Sequence, residues 1–332
     1  MLILVVGTGR CGSTLPTEII ARHHSVGFVS NVDDKLALLD LAGRWNGTIF
    51  RRGPARDPGL VPFRDRGRLL ERGRLRVAPS EAWNLLDRQV SPFFSAPCRD
   101  LVASDCTPWV ERRLHRFIRR RLSAQRTPHL VLHLTGWPRT ALFQAAFPDV
   151  RVVHVIRDGR AVANSWLHMG WWDGYQGPSK WYLGPLPPAY HQEWERSGRS
   201  FPVLAGLGWK TLLDAVEAAR AASPADRWLD VRYEDLIADP RATTKGLMDW
   251  LGLFWTPQFE RGFGRCVFDR SRTEAFRRDL DPAALQLLEA SLVDRLRQWG
   301  YVLTEAPLGR APRRPVERSF PERPSVLAQP AT

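Results

Sequence analysis

The first fifteen residues, MLILVVGTGRCGSTL, constrain the fold more than any other part of the sequence. Leu2 to Val6 is a short apolar run rich in β-branched residues, which predicts a buried strand. Glycines follow at positions 7, 9 and 12, then Ser13 and Thr14, and Thr17 to Ala21 predicts the body of a helix. A glycine-rich turn before a helix N-terminus lets backbone N–H groups converge on a phosphate-type anion. The stretch therefore predicts an α/β fold with an anion site after its first strand.

The loop partly fits two nucleotide-binding patterns. Gly7 to Thr14 has the frame of the P-loop, G-x-x-x-x-G-K-[ST], but Ser13 takes the lysine position, which disfavours an ordinary kinase or ATPase. Its glycines also satisfy G-x-G-x-x-G, and Asp33 and Asp34 stand at about the distance where a dinucleotide site places its ribose ligand. A dinucleotide-dependent oxidoreductase is therefore an alternative interpretation.

The segment GTGRCGSTL resembles the 5′-phosphosulfate loop of sulfotransferases that use 3′-phosphoadenylyl sulfate (PAPS). The resemblance implies that Arg10, as the basic residue within the loop, takes part in catalysis. It also implies that the loop binds the 5′-phosphate and the sulfonate of the donor through these residues: Thr8, Gly9, Arg10, Cys11, Gly12, Ser13 and Thr14.

A second segment, VRVVHVIRDGRAVANSW, repeats the strand-turn-helix pattern. Arg151 to Ile156 predicts a buried strand, and the residues from Ala161 onward predict a helix. The segment resembles the 3′-phosphate segment of the same family, which implies that Arg157 and Ser165 hold the 3′-phosphate of PAPS. A guanidinium offers a fork of donors that suits phosphate. Without a ligand, an Arg-Asp pair at a strand end would be a structural ion pair.

A third segment, R-Y-E-D-L-x-x-D-P from Arg232, is typical of the last core strand in sulfotransferases. The resemblance implies an α/β fold in which helices flank both faces of a parallel β-sheet, like that of P-loop-containing nucleotide hydrolases, and it implies no metal. We expect one domain over residues 1–303, with insertions at about 43–100 and 168–206. The Pro- and Arg-rich residues 304–332 predict a disordered tail.

Two acids follow the predicted strand Val26 to Val29. Asp33 and Asp34 lie where α/β proteins place ligand chemistry, just beyond the carboxyl end of a strand. We therefore predict that one of them takes the proton of the acceptor hydroxyl. The alternative is a helix N-cap, where Asp and Asn are favoured for backbone hydrogen bonding.

The net charge of +13 favours anionic partners without choosing among them. Pro108 to Gln125 predicts a basic amphipathic helix, which either covers the core with a solvated face or contacts nucleic acid or lipid. A basic nucleic-acid- or membrane-binding protein is therefore a third interpretation. Tryptophans crowd residues 166–209, where they either stack on an acceptor or pack the insertion itself.

The four cysteines show no C-x-x-C pair and no zinc spacing, which favours a reduced, cytoplasmic protein. The apolar run at the N-terminus is too short for a membrane span or a signal peptide. The partners expected are PAPS and its product 3′,5′-adenosine bisphosphate (PAP), together with a hydroxyl-bearing acceptor such as a glycan, a lipid-linked alcohol or another small molecule. Peripheral membrane contact stays open, and no specific nucleic acid is expected.

Overall fold

The computed structural model describes residues 1–53, 70–71, 74–75 and 77–303. Five parallel strands form the main sheet in the order β2-β5-β1-β6-β7, and two further strands, β3 and β4, form an antiparallel ribbon. The strands are β1 Leu2–Gly7, β2 Val26–Phe28, β3 Leu70–Glu71, β4 Arg74–Leu75, β5 His129–Thr135, β6 Arg151–Ile156 and β7 Trp228–Arg232.

Helices connect the strands and lie on both faces of the sheet. Those of the first half are α1 Thr14–Ala21, α2 Asn31–Lys35, α3 Asn46–Arg52, α4 Trp83–Gln89, α5 Pro108–Gln125, α6 Thr140–Ala146 and α7 Gly159–Leu167. Those of the second half are α8 Pro188–Arg196, α9 Phe201–Ala221, α10 Tyr233–Ala238, α11 Pro240–Leu251, α12 Pro257–Phe263, α13 Phe276–Asp279 and α14 Pro282–Gln298.

Strand β1 shows why both faces are covered. Ile3 and Val5 belong to a core cluster shared with α1, α7, α9 and α14, whereas Leu2, Leu4 and Val6 belong to a second cluster shared with α4, α5 and α6. Successive side chains of a strand point to opposite faces, so a strand that is apolar throughout needs a helix layer on each side. The predicted α/β class with a parallel, doubly covered sheet is confirmed.

The topology places three strand ends side by side. β1 lies between β5 and β6, and Gly7 at its end pairs with Thr135 at the end of β5. Arg157 directly follows β6, which is parallel to both. In open α/β sheets, ligands bind in the crevice outside such carboxyl ends. The loop after β1 and the turn after β6 therefore open into the same crevice.

Among the elements whose bounds the sequence predicted, α5 and β6 have the expected ones. β2 ends one residue early at Phe28, and α7 begins two residues early at Gly159. Val110, Leu114, Phe117 and Ile118 of α5 are buried, as a solvated helix over a core stripe requires. None of the described helices is long and apolar enough to cross a membrane.

The insertions and the tail are described only in part. The insertion at 43–100 contributes α3 and α4, and residues 54–69, 72–73 and 76 lie outside the described residues, as does the tail 304–332. The tryptophans of residues 166–209 mostly pack the protein itself: Trp166, Trp172, Trp181, Trp194 and Trp209 are buried in one core cluster. Trp171, which is 40% exposed, reaches the crevice.

Candidate active site

The loop after β1 has a backbone that favours glycine. Gly9 and Gly12 have φ of 79° and 85°, and Arg10 between them has φ 58°. A Cβ on Gly12 would lie 2.3 Å from the Tyr233 ring, so this position excludes any side chain. Positive φ at these residues turns the chain toward the N-terminus of α1, where the side chain of the N-cap residue Ser13 makes no capping hydrogen bond. The loop therefore presents backbone N–H groups and the positive end of a helix to the crevice.

The side chains of the loop divide into two groups. Gly9, Arg10, Gly12, Ser13 and Thr14 line a cleft of about 1260 Å³. Thr8 and Cys11 are fully buried and do not line it. Burial raises the pKa of the Cys11 thiol, which keeps it protonated in the core. A ligand in the cleft can meet Thr8 and Cys11 through their backbone only, because their side chains pack beneath the loop.

Ser13, which takes the place of the P-loop lysine, uses its hydroxyl in a hydrogen bond within the protein. Its Oγ lies 2.8 Å from Nε2 of His133 on β5. Both residues are buried and line the cleft. This hydrogen bond ties the start of α1 to the neighbouring strand and fixes the loop in place.

The two segments singled out by the sequence meet in the cleft. Arg10 donates through Nε to Ser165 Oγ at 2.9 Å. Arg157 donates through Nη1 to the carbonyl of Arg10 at 3.1 Å and through Nη2 to the carbonyl of Arg272 at 2.5 Å. Its guanidinium also lies 4.6 Å from the centroid of the Tyr233 ring. Arg157 and Ser165 thus flank the loop, although 147 and 155 residues separate them from Arg10.

Asp158, which follows Arg157 in the sequence, makes its contacts with Arg160. It caps α7 by accepting from the backbone N–H of Arg160, and it forms an ion pair with the Arg160 side chain at 2.7 Å. Arg160 also pairs with Glu289 of α14. Asp158 therefore forms its ion pair with Arg160 and not with Arg157. The side chain of Arg157 lines the cleft instead.

A carboxylate lies at the opposite side of the loop. Glu81 accepts through Oε1 from Thr135 Oγ1 at 2.9 Å and through Oε2 from Trp83 Nε1 at 2.6 Å. Thr135 ends β5 and lies opposite Gly7 in the sheet. All three of Glu81, Trp83 and Thr135 line the cleft. Two donors therefore hold a half-buried carboxylate beside the loop.

Comparison with known proteins identifies the family. A sulfotransferase family model matches residues 3–257, which is most of the chain. This protein belongs to the sulfotransferase family. Sulfonate transfer is therefore its reaction class.

One solved structure with a TM-score above 0.5 supports the fold, and two others are similar at lower TM-scores. Sulfotransferase STF9 from Mycobacterium avium is 14% identical with a TM-score of 0.53, over 91% of this chain and 77% of that one. The sulfotransferase domain of the Synechococcus PCC 7002 olefin synthase is 16% identical with a TM-score of 0.46, over 91% and 95%. Mouse sulfotransferase SULT7A1, solved in complex with PAP, is 9% identical with a TM-score of 0.37, over 89% and 84%. No curated protein matches the sequence significantly.

The structure places Asp33 and Asp34 away from this sulfotransferase cleft. Asp33 is 3% exposed and closes a capping box with Ser30, while also accepting from Asn46 Nδ2 at 2.6 Å and the backbone N–H of Gly43 at 3.1 Å. Asp34 accepts from the backbone N–H of Leu85 at 3.0 Å and from Asn84 Nδ2 at 3.2 Å.

Neither carboxylate lines the cleft. Burial raises the pKa of Asp34, in the direction expected of a carboxyl group withdrawn from water. Ser30 is the N-cap residue of α2, and Asp33 closes its capping box from the third helical position, so the helix-start alternative describes its hydrogen bonds. Burial and these hydrogen bonds disfavour a base at either position. Glu81, which sequence reasoning missed, is a described carboxylate that lies beside the loop.

Proposed function

We propose that this sulfotransferase takes its sulfonate group from PAPS and transfers it to an acceptor hydroxyl. The observation that carries the proposal is the meeting of Arg157 and Ser165 with Arg10 across the glycine-rich loop. PAPS differs from adenylyl sulfate by a 3′-phosphate, and the strand-end arginine with a helix hydroxyl offers donors for that group.

The residues of the cleft fit PAPS as the sulfonate donor. Arg157 is 8% exposed, and its Nε has no hydrogen-bond partner among the described residues. The guanidinium lines the cleft, where its charge stabilises a bound phosphate. The cleft volume of about 1260 Å³ exceeds that of a typical site for one small ligand, which leaves room for an acceptor beside the donor.

Each part of the loop has a proposed task in the reaction. PAPS supplies a sulfonate on a phosphate leaving group, so negative charge grows on the leaving oxygen as the acceptor oxygen bonds to sulfur. Arg10 and the loop N–H groups stabilise that charge and hold the moving group in line. Arg157 and Ser165 hold the nucleotide in place through its 3′-phosphate.

Glu81 is the proposed general base in place of Asp33 and Asp34. Its two hydrogen bonds come from Thr135 and Trp83. They fix the carboxylate at Thr135, whose Cβ lies 3.9 Å from the place that a Cβ on Gly9 of the loop would take. A carboxylate held in this position accepts the proton that the acceptor hydroxyl loses as its oxygen attacks sulfur. The sulfur–oxygen bond to the nucleotide breaks, and PAP leaves with the electron pair.

Two further expectations belong to this proposal. We infer a reduced, cytoplasmic setting, which the four free cysteines support. We also expect the transfer to proceed without a metal ion, because the loop carries Ser13 where a nucleotide kinase carries its phosphate-binding lysine. Treatment with EDTA should therefore leave the turnover rate unchanged, and a loss that added Mg²⁺ restores would contradict the expectation.

Thermal unfolding with added nucleotides tests the donor. PAP at about 100 times its dissociation constant should stabilise the folded protein by about 2.7 kcal/mol, because a ligand that binds only the native state shifts unfolding by mass action. NADH and a short oligonucleotide should have no comparable effect. Stabilisation by either of them without an effect of PAP would favour the oxidoreductase or the nucleic-acid interpretation instead.

A further inference from the structure

We propose that this protein binds the surface of anionic lipid bilayers through two neighbouring parts of its own surface, an apolar patch and an arginine row. The apolar patch consists of Leu38, Leu39, Trp45 and Ile49, and the arginine row consists of Arg112, Arg116, Arg119 and Arg120. The contact is peripheral: the patch enters the headgroup region, and the arginines meet lipid phosphates. The inference goes beyond sulfonate transfer and does not depend on the donor.

The apolar patch lies between α2 and the first turn of α3. Leu38, Leu39, Trp45 and Ile49 are 76%, 65%, 55% and 38% exposed. Trp45 is the N-cap residue of α3, and its carbonyl accepts from the backbone N–H of Ile49 at 3.0 Å, so these two side chains lie one helical turn apart. Exposed apolar residues are normally scattered singly, and a group of them marks an interaction surface.

The segment that carries the patch is anchored from beneath. Ala42, Asn46 and Phe50, which alternate with the exposed positions, are buried. Asn46 donates through Nδ2 to Asp33 Oδ2 at 2.6 Å and to the carbonyl of Phe28 at 2.9 Å. One side of the segment therefore packs on the protein, and the other side holds its apolar side chains toward solvent.

Helix α5 brings the arginine row to the edge of the patch. Arg120 donates through Nη2 to the carbonyl of Asp40 at 3.1 Å and forms an ion pair with its carboxylate at 2.9 Å. Gln125 of the same helix donates to the carbonyl of Ala42 at 3.4 Å. Asp40 directly follows Leu39, so the apolar patch and the arginine row form one continuous surface.

The arginine row has charges left for an external anion. Residues three or four positions apart share a face of a helix, and like charges at that spacing repel each other. Arg112 and Arg116 are exposed and make no ion pair with any residue that the structure describes. An anion bound along this face relieves the repulsion.

Acidic side chains nearby are few and already paired. Glu111 is the one acid in the sequence of α5, and it lies 3.8 Å from His115. Asp40 is the one acid in the sequence of residues 38–52, and Arg120 and Arg121 both pair with it. The surface therefore combines exposed apolar area with a net positive charge.

This combination favours a lipid surface over other partners. Nucleic acid offers phosphates to the arginines but no apolar layer for the patch. A second copy in a symmetric dimer would bring a second arginine row to the same interface, and the two rows would repel each other. An anionic bilayer presents phosphates beside an acyl boundary, and tryptophan is favoured at that depth.

Cosedimentation of the full-length protein with vesicles tests the proposal. Phosphatidylcholine vesicles with about 30 mol% phosphatidylglycerol should bind at least about tenfold more tightly than phosphatidylcholine alone, because the arginines need an anionic surface. Raising the salt from about 0.1 to about 1 M should weaken the binding, since it screens that attraction. Absence of binding to the anionic vesicles, or equal binding to both kinds, would overturn the proposal.

Charge variants test the arginine row. Arg112→Gln/Arg116→Gln should weaken binding to the anionic vesicles by roughly 25-fold, because each arginine near such a surface contributes about 5-fold. Arg196→Gln/Arg199→Gln is the matched control, since it removes two exposed arginines at α8, away from the row. Equal losses in the two double variants would overturn the arginine row as the binding site.

Apolar variants test the patch. Leu38→Ser/Leu39→Ser should weaken binding to the same vesicles at least about tenfold, because it removes the apolar area that enters the headgroup region. Phe254→Ser/Val302→Ser is the matched control, since these side chains are 75% and 74% exposed outside the patch. Unchanged binding in the leucine variant would overturn the role of the patch.

Two further outcomes would assign the surface to another partner and overturn the proposal. One is tight binding of a DNA duplex that the arginine variant loses and the leucine variant keeps. The other is a wild-type dimer in sedimentation that the leucine variant converts to a monomer. PAP affinity should be the same in all four variants, because none of the substituted residues lines the cleft, so the vesicle result is independent of the donor proposal.

Discussion

At the scale of single residues, two carboxylates have different proposed roles: Glu81 is the proposed catalytic base, and Asp33 is structural. Glu81→Gln should lower kcat by roughly 10²- to 10⁴-fold, because an amide cannot take the proton of the acceptor. PAP affinity should stay unchanged, since Glu81 accepts from Thr135 and Trp83 and is not among the residues proposed to hold the nucleotide. Steady-state rates together with calorimetry on PAP measure the two quantities.

Asp33→Asn is the control, because Asp33 accepts only structural hydrogen bonds. It should lower the free energy of unfolding by about 1–3 kcal/mol and leave the kcat of the folded protein close to normal. A stable Asp33→Asn variant that has lost turnover would restore Asp33 as the base.

Arg10 gives a second prediction at this scale. Arg10→Ala should reduce turnover more than it weakens PAP, because PAP lacks the sulfonate that Arg10 is proposed to hold in the transition state. The measurement compares kcat for transfer with the dissociation constant of PAP in the same variant. Losses of equal size would assign Arg10 to nucleotide binding alone, through its hydrogen bond to Ser165.

The sequence allowed some of these roles to be predicted and not others. Arg10, Arg157 and Ser165 lie in recognisable segments, and the structure brings all three to the cleft. Glu81 follows a stretch whose sequence shows little periodicity. No pattern in SEAW links it to Thr135, which lies 54 residues further along the chain. The sequence could not decide the role of Asp33, because an acid after a strand has the same sequence pattern as a base and as a helix cap.

At the scale of elements, the turn from β1 into α1 depends on Gly12. Gly12→Ala should both destabilise the protein and abolish most PAP binding, because the new Cβ would clash with the Tyr233 ring and displace the loop. Gly252→Ala is the matched control: its φ of 72° is strained in the same way, but its Cβ would meet nothing within 4 Å.

We expect a loss of about 1–2 kcal/mol of stability in Gly252→Ala, with normal PAP affinity. Thermal unfolding and calorimetry measure both variants. Equal PAP affinity in the two would show that the loop tolerates a side chain at residue 12.

Elements with a long, regular pattern were the predictable ones. α5 alternates buried apolar and exposed basic positions over 18 residues, and β6 is apolar almost throughout. α2 is five residues long and ends at Lys35. Asp40, Ala42 and Gly43 all have positive φ, and Asp40 pairs with Arg120 of α5. This tertiary contact holds a turn where the sequence alone favours continued helix.

At the scale of the whole molecule, a buried ionic cluster joins the active-site helix α7 to α14 near the C-terminus. Arg160 pairs with Asp158 and Glu289 and donates to the carbonyl of Val302. Arg160→Met should lower the free energy of unfolding by about 3–5 kcal/mol, because it removes the cation that pairs with two buried carboxylates. Denaturant unfolding measures the loss.

Arg199→Met is the surface control for this cluster. Arg199 is 68% exposed and pairs with Glu195 within one helical turn, so its loss should cost at most about 1 kcal/mol. Similar losses in the two variants would show that the Arg160 cluster does not link the helices.

The donor assignment is tested most directly by calorimetry with PAP and 5′-AMP on the wild type and on Arg157→Ala. A charge-assisted hydrogen bond contributes about 1.5–3 kcal/mol, which is roughly one to two decades of affinity. We expect Arg157→Ala to weaken PAP by that factor and to leave 5′-AMP nearly unchanged, because only PAP carries the 3′-phosphate. Parallel losses for both nucleotides would contradict the assignment of Arg157 to the 3′-phosphate, and with it the choice of PAPS as donor.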